Sequence, residues 1–104
     1  MYVVTYRFTL MQSSPEAEAQ FISVWSGITE FFKEQAGALG SRLHKGEDGA
    51  FYAYAQWPDE KTFAAAGEIL PTQDFVKLRM QWAHLCNPSE ILFKGTVEAD
   101  LLER

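Results

Sequence analysis

His44 is the side chain of this sequence best suited to moving a proton at neutral pH, since an unperturbed imidazole ionises at about pH 6.5. It stands one residue from a glycine-bounded turn, where a solvated rim position competes with a catalytic one. Tyr6 offers a phenol that could hydrogen-bond a phenolate, although a buried tyrosine satisfied by the backbone accounts for the same pattern. Arg79 could answer a substrate carboxylate or simply lay its stem along apolar surface. Trp57, Phe63 and Trp82 could wall a pocket for a flat ligand, and core packing explains large aromatics there equally well. His84 falls off the apolar stripe of its helix and suits the helix end, while Cys86 has no neighbouring base and reads as structural.

Absences narrow the chemistry further. One cysteine cannot hold an iron–sulfur cluster or form an internal disulfide, and no C-x-x-C is present for soft-metal transfer. H-E-x-x-H, G-x-S-x-G, G-x-G-x-x-G and G-x-x-x-x-G-K are missing as well, so no metal and no nucleotide cofactor is expected. Nine basic against fourteen acidic residues give a net charge of −5, which repels a polyphosphate partner. The run Gly49-Ala50-Phe51-Tyr52-Ala53-Tyr54 superficially matches an RNA-binding aromatic platform, but Asp48 stands where a basic residue belongs, so nucleic acid is not expected. No charged-then-apolar leader and no membrane-length apolar stretch is visible; with a single thiol, the reading is a cytoplasmic protein without membrane contact.

The elements that must position these groups follow from periodicity. Alternation over Tyr2 to Leu10 predicts a first strand, with Tyr2, Val4, Tyr6 and Phe8 on one face. Phe21, Val24, Trp25, Ile28, Phe31 and Phe32 recur at three-four spacing and predict a helix over 15–36. Ser13 and Ser14 supply cap oxygens, Glu16 lies three after Ser13 as in a capping box, Pro15 suits the first turn, and Gly37 ends the helix. Segments 38–45 and 50–57 flank Gly46-Glu47-Asp48-Gly49 as a hairpin. A two-residue register there puts Arg42 and His44 on the face of Phe51, Ala53 and Ala55, where the alanines leave room for a pocket; a three-residue turn reverses that face. Asp59 caps a short helix, Pro71-Thr72 restarts the chain as a helix bearing Phe75, Leu78, Trp82 and Leu85, and a last strand runs over 91–97.

This order predicts one α+β domain over 1–104, a ferredoxin-like βαββαβ fold with a four-stranded antiparallel sheet and helices on one face. The other sheet face then needs cover. With 47% hydrophobic and 14% aromatic residues, the expected cover is a second copy, giving a homodimer in the form of a dimeric α+β barrel.

Trp57-Pro58-Asp59-Glu60-Lys61-Thr62-Phe63 resembles the antibiotic biosynthesis monooxygenase superfamily, in which a Trp ends the third strand, a small polar residue caps the next helix and an aromatic follows six positions on. The element order over residues 2–98 is similar too. The resemblance implies a cofactor-independent monooxygenase of a small aromatic or quinol-like compound, with His44 or Tyr6 as base or anion donor and Trp57, Phe63, Arg79 and Trp82 binding substrate. The haem-degrading branch of that superfamily places an Asn, a Trp and a His at positions that fall near Tyr6, Ala66 and Arg79 here, so all three differ. Ala66 also replaces a His that many other members carry, which keeps a second reading open: a non-catalytic domain that binds a small aromatic ligand or serves assembly.

Overall fold

The computed structural model describes residues 1–103. Strand β1 (Tyr2–Phe8) is followed by helix α1 (Pro15–Ala36), strands β2 (Gly40–Lys45) and β3 (Phe51–Trp57), helix α2 (Glu60–Ala65) with a 3-10 turn over Ala66–Glu68, helix α3 (Gln73–Leu85) and strand β4 (Glu90–Thr96). The strands pair in the order β2-β3-β1-β4, all antiparallel, which is the ferredoxin-like arrangement expected. Among the described residues no helix is long and apolar enough to cross a membrane.

Local chemistry sets the helix ends. The cap of α1 is Ser14, whose Oγ accepts from the Ala17 N–H at 3.1 Å, so the third helical position is Ala17 and the capping box expected from Ser13 and Glu16 does not form. Gly37 closes α1 at φ +78°, a left-handed conformation that side chains with a Cβ resist. Asp59 and Thr72 cap α2 and α3 in the same way, each accepting from the N–H three residues on. The second helical region is broken in two, as Pro71 requires.

The strand ends differ slightly from the sequence reading. β1 stops at Phe8, and Leu10 makes a lone bridge to Cys86. β4 begins at Glu90 and carries an irregularity opposite Thr5 and Tyr6. At this irregularity Ile91, Leu92 and Phe93 are all exposed on the edge strand.

Tyr2, Val4, Tyr6 and Phe8 face the helices together with Phe51, Ala53, Ala55 and Trp57, and the core beneath them is divided. One cluster gathers Phe8, Phe21, Phe51, Ala53 and Cys86; the other gathers Tyr2, Val4 and Trp57 against Phe32 and Phe63. Tyr6 packs against both. The two helices cross at Gly27, where a Cβ would lie 2.9 Å from Leu78 Cδ1 and 3.2 Å from Leu78 Cδ2. Alanine there gains about 1 kcal/mol of helix propensity, which offsets a small shift of the Leu78 end. Gly27→Val has no such relief, and urea unfolding should show it about 2 kcal/mol less stable than the parent.

Candidate functional site

Between the two core clusters lies a cleft of about 900 Å³, in the range of small-molecule sites. Its floor is the helix-facing side of the sheet at Tyr6, Phe8, Ala53, Ala55 and Trp57. Helix α1 contributes Trp25, Phe31 and Phe32, the α2 segment contributes Phe63, and α3 contributes Phe75, Arg79 and Trp82. The small side chains of Ala53 and Ala55 leave the floor low, while aromatics on the facing helices form the roof.

The walls brace one another. Trp82 meets Phe8 edge-on at 5.1 Å between ring centroids and Phe21 at 5.2 Å. Phe75 stacks on Phe31 at 3.9 Å, and the Arg79 guanidinium carbon sits 5.8 Å from the centre of the Phe75 ring. Trp57 meets Phe63 edge-on at 5.5 Å and Phe32 at 6.1 Å. These contacts hold the flat groups in place without filling the space between them.

The polar groups are few and are chiefly donors. Trp57 is only 4% exposed, and its Nε1–H is the one buried side-chain polar atom among the described residues without a hydrogen-bond partner. An unmatched buried donor costs about 1–3 kcal/mol, and this N–H has essentially no accessible surface, so it lies sealed within the wall and is not open to the cleft. Burial lifts the Tyr6 phenol above its ordinary value, and Tyr2 adds a smaller push in the same direction. Tyr6 is therefore a protonated donor at neutral pH and no base. Among the described residues, no His, Asp, Glu, Lys or Cys lines the cleft, and no cluster of three such metal-binding side chains occurs elsewhere.

Of the residues singled out in the sequence, Tyr6, Trp57, Phe63, Arg79 and Trp82 are brought together around this cleft. His44 is not. It pairs with Tyr52 in the β2–β3 ladder and stacks on Tyr54 at 6.3 Å, on the sheet face away from the helices. The two-residue register expected for the hairpin is thus corrected to a three-residue turn. Gly49 N–H donates to the Gly46 carbonyl at 3.0 Å, Gly46 N–H to the Ala50 carbonyl at 2.7 Å, and Gly49 takes φ +87°. That one extra residue moves Arg42 and His44 to the face of Tyr52, Tyr54 and Gln56, and brings Ser41 and Leu43 to the side of Ala55 and Ala53. A glycine at the third loop position, with Asp48 Oδ1 accepting from Ala50 N–H at 3.0 Å, was the signal for it.

Sequence reasoning left Trp25, Phe31 and Phe32 as core residues and gave Ser41 and Ser89 no role, yet all five line the cleft. Helical spacing marks an apolar stripe but does not say whether its partner surface is filled. His84 and Cys86 stand as read: His84 is exposed in the last turn of α3, and Cys86 is buried. Burial pushes the Cys86 thiol up to about 11. At pH 8 the folded protein should resist a thiol-specific reagent, and reaction should become complete on adding denaturant.

No sequence-family model matches the chain, and no curated protein matches it. Solved structures do. Over 98% of this chain and 97% of the other, the fold superposes with a TM-score of 0.72 and 26% identity on SnoaB, a cofactor-independent oxygenase from Streptomyces nogalater. A Nitrosomonas europaea protein provisionally described as an antibiotic biosynthesis monooxygenase matches at TM-score 0.68 and 19% identity, covering 95% of this chain and all 100% of its own. A Deinococcus radiodurans protein of the same provisional description matches at TM-score 0.68 and 13% identity over 100% and 99% of the two chains. A ferredoxin-like α+β domain with an aromatic cleft between sheet and helices is the class these observations define. By fold, the chain is similar to SnoaB and to proteins provisionally described as antibiotic biosynthesis monooxygenases.

Proposed function

We propose that the protein is a cofactor-independent oxygenase of a flat aromatic phenol, anthrone or quinol, acting as a homodimer. The observation that carries this reading is the aromatic cleft with the protonated Tyr6 phenol on its floor. That phenol is a donor able to hold an oxyanion on a bound ring. The likeness to SnoaB, which is described as a cofactor-independent oxygenase, supports the same class of reaction.

The chemistry rests on the substrate. Loss of a proton leaves an electron-rich anion, which passes one electron to dioxygen; the substrate radical and superoxide then couple to a peroxide. Proton uptake and cleavage of the O–O bond release water and leave a ring carbonyl. A methylene becomes a carbonyl by giving up four electrons, and dioxygen accepts all four. With no side-chain base lining the cleft, the first proton goes to solvent, and the donors of the cleft lower the acidity barrier by stabilising the anion. Homodimerisation is supported by the uncovered sheet face, where Tyr52, Tyr54 and Phe93 lie, Phe93 being 58% exposed.

The same lack of a base favours a second reading, a domain that binds an aromatic ligand without turning it over. Oxygen uptake with a panel of hydroxyanthrones and hydroquinones separates the two. Uptake by the parent and His44→Ala alike, with a loss of about tenfold or more in Tyr6→Phe, is the expected result. A collapse of activity in His44→Ala would remove the cleft as the reaction site. Ligand binding without uptake would establish the binding domain instead.

A further inference from the structure

We propose that Arg79 makes this cleft selective for aromatic ligands that carry a carboxylate, a substrate class that rests on reading the cleft as the binding site. Among the described residues Arg79 is the only charged side chain lining it. The chain as a whole carries −5, so a lone cation facing an apolar cavity is against the trend of its own surface.

Helical spacing explains how the cation comes to be there. Phe75, Arg79 and Trp82 lie at i, i+4 and i+7 of α3, hence on one face, and all three line the cleft. The Arg79 side chain makes no ion pair or hydrogen bond among the described residues; Arg42, Lys61, Lys77 and Lys94 share that state, but none of them lines the cleft. Its contact is with the Phe75 ring, 5.8 Å from the guanidinium carbon, and Phe75 in turn stacks on Phe31 at 3.9 Å between ring centroids. A guanidinium carried on an aromatic ring keeps its planar fork of donors free and pre-positioned, which suits a bidentate carboxylate.

The rest of the cleft dictates the body of such a ligand. Trp57, Phe63, Trp82 and the two floor alanines demand a flat apolar ring system, and the cleft offers that ring no second charged partner. A ligand with a carboxylate on one edge of its ring system therefore binds in one orientation, its anion at Arg79 and its rings along the aromatic walls. Orientation matters because only one ring carbon can then meet dioxygen at a fixed place.

The test is equilibrium binding, which does not depend on turnover. An anthraquinone carboxylate and the matching carboxamide share rings and size and cannot be oxygenated further at the ring carbonyls; quenching of tryptophan fluorescence at low ionic strength reports both. The carboxylate should bind about tenfold more tightly than the amide to the parent protein. In Arg79→Gln the preference should fall to near unity, while Lys77→Gln, which removes the same charge from another exposed position of the same helix that lies outside the cleft, should retain it. Equal affinity of the two ligands for the parent, a preference that survives in Arg79→Gln, or an equal loss in Lys77→Gln would each overturn the proposal. A carboxylate preference that depends on Arg79 in a protein with no oxygen uptake would uphold it while removing the oxygenase reading.

Discussion

Trp57→Phe should leave oxygen uptake within about threefold of the parent, with the fold intact. Its Nε1–H is sealed from the cleft, so removing it takes no donor from a developing oxyanion, in contrast to the Tyr6 phenol on the cleft floor. The stability effect has the opposite character. Phenylalanine keeps the edge-on contacts with Phe63 and Phe32 in outline, loses some buried area, and abolishes an unmatched N–H. A net cost of about 1 kcal/mol is expected, because a cavity term of a few kcal/mol is partly offset by relief of the desolvated donor. Thermal melting and oxygen uptake measured on the same preparation separate these effects. A hundredfold loss of uptake in fully folded protein would overturn this and make Nε1 a donor to the bound anion.

Tyr54→Asp should convert the proposed homodimer to monomer. Tyr54 stands opposite Thr5 and Arg42 on the uncovered face, in the middle of the β2-β3-β1 ladder. If two copies meet through that face, the ring that fills the interface is replaced in each by a desolvated carboxylate, and even with Arg42 opposite to pair with it, association should weaken at least about tenfold. The cleft is on the other side of the sheet, so ligand binding within one protomer should persist. Light scattering at micromolar concentration gives the mass directly against the 11.8 kDa of one chain. A parent protein that already scatters as a monomer would remove the dimer from the proposed function and leave the exposed face to another partner.

These two expectations draw on different levels of the molecule. The motif from Trp57 to Phe63 is local: a strand of alternating large and small residues runs into an Asp59 cap, and its corner forms whatever lies elsewhere. The lack of an acceptor for Trp57 Nε1 depends on something else, the packing of distant segments around it. The same holds for Arg79. Its helical face is legible from Phe75 and Trp82, whereas its lack of a carboxylate partner is a fact of the whole surface.

What the amino-acid sequence determined by itself are the features whose physics is short-ranged: the three-four spacing and glycine end of α1, the Pro71 break, the alternation of β1 and β3, and the order that leads to one four-stranded sheet. Those depend on contacts within a turn or two of chain, so residue types suffice. The face of His44, the division of the core and the emptiness of the space between its halves were decided only in three dimensions. A single residue of turn length reverses a strand's faces, since side chains alternate with period two. Whether apolar stripes from α1, α3 and the sheet meet or leave a cleft depends on the summed volumes of residues far apart in the chain, with Ala53 and Ala55 opposite Phe31 and Trp82, and no local pattern records that sum.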